Sequence, residues 1–121
     1  MGLTAQVANY ITSAKFEDFP PNAVFAARHG IIDCVACALA GAKEGLTKIL
    51  VGFAEDTDGG KARATLIGQG RKASAPMAAL VNGAMGHALD YDDIARPLKG
   101  HPSVVCFPPA LAVGEDVGAS G

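Results

Sequence analysis

The chain has 121 residues, which suffice for one domain of ordinary size and not for two. Ten basic residues against twelve acidic ones leave a net charge of -2, so the field that a nucleic-acid partner needs is absent. Half of the residues are apolar but only 6% are aromatic and tryptophan is missing, which leaves Ala, Val, Leu and Ile to build a core of closely packed helices.

The segment Met1 to Gln6 has neither the positive flank nor the apolar run of a secretory leader, and Gln6 stands where a myristoylation signal has Ser or Thr. A cytoplasmic protein with no membrane partner is expected. The richest apolar run, Ile31 to Ala42, has the length of a core helix rather than of a bilayer span. Cys34, Cys37 and Cys106 are odd in number and outside any secretory context, so no disulfide is expected.

Leu3 to Ala14 places Val7, Tyr10, Ile11 and Ala14 at three- and four-residue steps and predicts a short amphipathic helix. Phe16-Glu17-Asp18-Phe19 breaks it, and Pro20-Pro21 suits the first turn of a second helix, where a missing amide donor costs nothing. Val24, Ala27, Ile31, Val35 and Ala38 form its stripe. Its second half is apolar nearly all round and is expected to be buried up to Gly41. A third helix is predicted over Lys43 to Glu55, with Leu46, Ile49, Leu50 and Phe53 on one face, before the turn signal Asp56-Thr57-Asp58-Gly59-Gly60.

Ala62 to Ile67 reads as a short strand without an evident partner. Ser74-Ala75-Pro76 predicts a helix start with Ser as the cap, and Met77, Leu80, Val81, Ala84 and Ala88 carry that helix up to an acidic cluster. A loop containing Arg96, Pro97, Lys99 and Gly100 precedes a last helix, roughly Val104 to Val117, whose first turns Pro108-Pro109 are expected to disturb. The expected class is mainly α, a helical-bundle-like domain over 1–121 with one short β-strand or hairpin.

Three local patterns lend themselves to a functional reading and are better explained structurally. Gly68-Gln69-Gly70-Arg71-Lys72-Ala73 fits a dinucleotide-binding fingerprint with Asp90 downstream, but that acid should end a second buried strand and Asn82 to Leu89 reads as helix. Cys34-Val35-Ala36-Cys37 lies in an apolar helix with nothing to lower a thiol pKa. His29 is a single imidazole without a visible partner.

Gly86-His87-Ala88-Leu89-Asp90-Tyr91-Asp92-Asp93 followed by His101-Pro102-Ser103 is different. Three carboxylates and two imidazoles within seventeen positions set up titrating groups whose pKa values are pushed apart, the arrangement that proton-transfer catalysis uses. His87, Asp90, Asp92, Asp93 and His101 are also plausible metal-ligand types, though their spacing matches neither H-E-x-x-H nor a calcium loop. A solvated acidic turn is the third possibility.

These residues resemble the MmgE/PrpD family, that of 2-methylcitrate dehydratase and its relatives. The resemblance rests on Phe16-Glu17-Asp18-Phe19-Pro20-Pro21, Asp33-Cys34-Val35-Ala36-Cys37-Ala38-Leu39-Ala40-Gly41, Ala64-Thr65-Leu66-Ile67-Gly68, Ala78-Ala79-Leu80-Val81-Asn82-Gly83-Ala84, the acidic cluster and His101-Pro102-Ser103, in family order. It implies a cofactor-independent lyase or isomerase acting on di- or tricarboxylates, 2-methylcitrate dehydration foremost, with a mainly helical domain, a smaller lid domain and a dimeric state. Carried over, Asp90 and His101 are the catalytic residues and no metal is involved. His87, Asp93 and Lys99 are candidates for contacting substrate, with Arg96 a second loop cation.

Two departures from the family pattern stand out. Ile94-Ala95 replaces the Thr, often followed by His, that many relatives place after the two Asp residues. Relatives are also several times longer, so the chain reads as the N-terminal part of the helical domain without the lid, inactive alone and expected to self-associate or to pair with a chain carrying the rest. A non-catalytic helical interaction module and a small metal-binding protein are the competing readings.

Overall fold

A computed structural model describes residues 2–120. Its elements in chain order are α1 (Leu3–Ser13), one 3-10 turn (Phe16–Asp18), α2 (Pro21–Gly41), α3 (Gly45–Thr57), β1 (Ala64–Leu66), β2 (Arg71–Ala73), α4 (Ala75–His87) and α5 (Pro102–Val117). The mainly helical class and the short β element agree with the sequence pattern. α4 lies against both α2 and α5 and is the centre of the packing. Ala38, Ala54, Ala64, Leu66, Ile67, Ala73, Ala78, Val81, Met85 and Ala112 form the core, aliphatic as the composition requires.

The strand expected at Ala62 to Ile67 does have a partner. β1 pairs antiparallel with β2, Ala64 facing Ala73 and Leu66 facing Arg71, across a turn in which Gly68 and Gly70 take φ of 70° and 65°. Glycine is the residue that enters that left-handed region without steric cost. The glycine pattern at Gly68 and Gly70 is therefore a hairpin turn between two antiparallel strands, and no helix follows it directly to receive a pyrophosphate.

The hairpin is fastened by two side chains from helices. Asn82 on α4, fully buried, accepts from the Ile67 amide at 2.9 Å and donates to the Thr65 carbonyl at 2.8 Å. Glu115 on α5 accepts from the Thr65 amide at 2.5 Å and from its hydroxyl at 2.7 Å. Those two hydrogen bonds from Thr65 hold the Glu115 carboxyl below its ordinary pKa. A carboxylate with a depressed folded pKa adds stability that is present above its unfolded value near about 4.3 and is lost as pH falls through the lower folded value. Glu115→Gln is accordingly expected to flatten the acid limb of a plot of melting temperature against pH, at a cost near neutrality of about 1 kcal/mol or less because the group is partly solvated. An unaltered acid limb in the variant would refute this account.

Four helical expectations need correction. α2 does not bury its second half all round: Cys34, Cys37, Ala38 and Gly41 form one buried stripe, while Ile32 and Leu39 remain 67% and 52% exposed. The helices it packs against most are α4 and α5. At 21 residues α2 also reaches the length and apolarity of a membrane-crossing helix, contrary to the estimate from Ile31 to Ala42. Arg28 and Asp33 in its middle would be costly in hydrocarbon.

α5 begins two residues earlier than expected and passes through Pro108 and Pro109 without interruption. Proline's fixed φ is itself helical, and the close seat of α5 on α4 offsets the lost amide bond. That seat depends on Gly86, where a Cβ would come within 2.8 Å of Val104 Cγ2. Ser74 occupies the N-cap position of α4 but makes no capping bond with its side chain; its amide donates instead to Asp58 Oδ2 at 2.7 Å.

Candidate functional site

α4 ends at His87, so Asp90, three residues on, lies beyond the helix. A tight turn brings the two together. The Asp90 amide donates to the His87 carbonyl at 3.0 Å, and Asp90 takes φ of 54°, a left-handed conformation that Asp tolerates better than most residues. The chain then folds back beneath the end of α4. Residues 94–100 form a second reversal, closed by the Ala95 amide donating to the Gly100 carbonyl at 3.0 Å, which delivers His101 to the N-cap position of α5.

The result is one cluster. Asp90 Oδ1 lies 3.7 Å from His87 Nε2 and 3.7 Å from His101 Nε2. The two imidazoles meet edge to face with centroids 4.7 Å apart. Behind them lies Asp92, whose side chain is 1% exposed; its Oδ1 accepts from His87 Nδ1 at 2.9 Å and stands 3.3 Å from His101 Nδ1. His101 Nδ1 is also 3.2 Å from the Asp92 carbonyl oxygen. Carboxylate and carbonyl oxygens accept here, so each Nδ1 is the donor and each ring turns its Nε2 toward Asp90.

The hydrogen bond that His87 donates to Asp92, opposed by desolvation and helped by the charges on Asp92 and Asp90, raises the pKa of His87 above the ordinary imidazole value. His87 stands beside His101 and the Asp90 carboxylate, and the three are groups able to move protons in either direction on a molecule placed over them. The cluster is open: the side chains of Asp90, His87 and His101 are 78%, 48% and 23% exposed. One donor atom from each of His87, Asp90, Asp92 and His101 lies within 4.8 Å of the others, so the same groups could hold a metal ion.

Asp93 and Lys99 are placed elsewhere. The Asp93 carboxylate accepts from the Ser103 hydroxyl at 2.7 Å and from the Ser103 amide at 3.2 Å, which occupies it at the first turn of α5. Lys99 is exposed at the tip of the second reversal with φ of 50°, and Arg96 is exposed in the same loop. His29 donates from Nδ1 to the Phe25 carbonyl on the outer side of α2. Burial pushes the Cys34 thiol up to about 11 and raises Cys37 as well, as suits unreactive core thiols.

The MmgE/PrpD N-terminal domain pattern matches residues 5–121. The chain belongs to the MmgE/PrpD family. Among curated proteins, this MmgE/PrpD domain is similar to the cis-aconitate decarboxylase-like protein oryM of Aspergillus oryzae, 26% identical over 113 residues that make up 93% of this chain and 23% of that protein. It is also similar to a cis-aconitate decarboxylase of Aspergillus terreus, 27% identical over 124 aligned residues, 99% of this chain and 24% of that protein. The chain therefore spans about a quarter of the length of the curated relatives it matches.

Two residues of this MmgE/PrpD domain were given no supporting role from its sequence. Asp92 was one acid among three, and only the left-handed turn at Asp90 decides that it, rather than its neighbours, faces the Nδ1 atoms. Asp33 on α2 accepts from the Asp93 amide at 3.0 Å and so ties the site to the core. Its signal was visible as an acid within an otherwise apolar helical run.

Proposed function

We propose that this domain supplies the acid–base groups of a cofactor-independent lyase acting on a di- or tricarboxylate, with Asp90 and His101 moving protons and His87 contacting the substrate from the side. The observation that carries this reading is the convergence of Asp90 Oδ1 on two Nε2 atoms whose rings are fixed from behind by Asp92. Loss of carbon dioxide from an unsaturated tricarboxylate leaves an electron pair that must accept a proton. Loss of water requires a base for the hydrogen next to a carboxylate and an acid for the departing hydroxide. Both reactions need one group that holds a proton and one that lacks it, at the same place.

Sequence motifs alone favour dehydration of 2-methylcitrate. The names of the relatives favour decarboxylation of cis-aconitate, and that is the first reaction to test. Lys99 and Arg96, in the loop between the two catalytic residues, are cations available to a substrate carboxylate. Asp93 serves by holding the start of α5, since its oxygens are engaged by Ser103.

The test is incubation of this domain, joined to or mixed with the remaining segment of the family's length, with cis-aconitate and, separately, 2-methylcitrate in deuterated buffer containing EDTA, followed by proton NMR. Turnover, or entry of deuterium next to a carboxylate, is the expected result. Neither product nor exchange with either acid would sink the proposal.

A further inference from the structure

The cluster also has the donor chemistry of a cation site. Asp92 is a carboxylate with 3% exposure whose Oδ2 meets no hydrogen-bond donor among the described residues. A buried anion left partly unsatisfied is stabilised by positive charge beside it. In front of it, His87 Nε2 and His101 Nε2 each stand 3.7 Å from Asp90 Oδ1. A tetrahedral ion with bonds of about 2.0–2.1 Å places its donors about 3.3 Å apart, so a small movement of the exposed Asp90 side chain brings both of its separations into range, within a cluster whose ligand atoms all lie within 4.8 Å of one another. An octahedral magnesium ion has its neighbouring donors about 3 Å apart and prefers oxygen throughout, which fits this nitrogen-rich trio less well.

We propose that His87 Nε2, His101 Nε2 and Asp90 Oδ1 bind one first-row divalent cation of the zinc type, with Asp92 holding both rings from behind. A carboxylate on the far ring nitrogen fixes the tautomer and raises the basicity of the coordinating one, and here a single Asp92 oxygen does so for two imidazoles. The open side of the cluster leaves a fourth position for water and a path of entry. Such an ion takes the Nε2 lone pairs that proton transfer needs, so it competes with substrate; that consequence rests on the function proposed above, whereas the binding does not.

The test is calorimetric titration of zinc chloride into EDTA-stripped, desalted protein carrying Cys106→Ser, which removes the exposed thiol. One ion per chain is expected, with affinity reduced roughly 10–100-fold or more in Asp90→Asn and in His101→Asn and unchanged in His29→Ala. In protein without these changes, the ring signals of His87 and His101 should shift on zinc addition while those of His29 stay fixed, a readout that needs no variant to fold. Absence of binding, undiminished affinity in Asp90→Asn and His101→Asn, or a shift confined to His29 would overturn the site. Turnover measured in EDTA separates the two proposals: zinc binding without turnover removes only the acid–base reading, and turnover without zinc binding removes only the cation site.

Discussion

With the remaining segment of the family's length supplied, Asp90→Asn is expected to lower kcat/KM for the polycarboxylate substrate by about 10²–10⁴-fold, the usual worth of a positioned acid or base. The substitution is a clean one for physical reasons. Asn enters the left-handed region as readily as Asp, so the turn at φ of 54° survives, and a side chain 78% exposed leaves no buried partner unpaired when its charge is removed. His101→Asn is the matching change, because Asn is a favoured N-cap and keeps the start of α5 while removing the imidazole. If the two groups pass protons as a pair, the double variant should lose little more than the worse single one. Measured in EDTA with melting temperatures alongside, an Asp90→Asn variant that retained more than about a third of the activity would dismiss Asp90 from the chemistry.

Helices were legible here because their signals are local. Apolar spacing marked α1, α3 and α4 within one to three residues of their ends, and Pro21 and Gly41 bounded α2. The second strand was not legible, since Arg71-Lys72-Ala73 is too short to alternate and carries two cations; its pairing follows from the turn glycines that fold it back onto β1. Burial of α2 was misjudged for a different reason. Composition says how apolar a helix is, but how many sides acquire neighbours is a property of the packing, and here one stripe does.

The site was legible in the same partial way. Motif order pointed to Asp90 and His101, and the geometry places both beside His87. What the linear spacing could not give was the division of labour among three nearby acids. Asp90 points to the open side, Asp92 is turned inward to the Nδ1 atoms, and Asp93 is turned to Ser103, because a single left-handed residue changes which way each successor faces.

Gly41→Ala is the stability change expected to be largest. A Cβ at Gly41 would lie 2.2 Å from the Met85 carbonyl oxygen and 3.1 Å from Ala88 Cβ. The obstructing atom is backbone of another helix, so no side-chain rotation relieves the overlap and α2 must move away from α4. Overpacking of this kind costs about 3 kcal/mol, the upper part of the usual range. For a domain of this length that corresponds to a fall of roughly 12 °C in melting temperature. Gly52→Ala, in the interior of α3 with nothing within 4 Å of the added carbon, is the control and should raise stability by about 0.5–1 kcal/mol. The consequence reaches the site, because Met85 precedes His87 by half a turn and Asp33, on the same α2, holds the Asp93 amide. Separation of α2 from α4 therefore pulls the two anchors of the cluster apart, and activity in Gly41→Ala should fall even at temperatures where the variant remains folded. Equal melting temperatures for the two glycine variants would show that α2 and α4 do not meet as closely as the Gly41 contact requires.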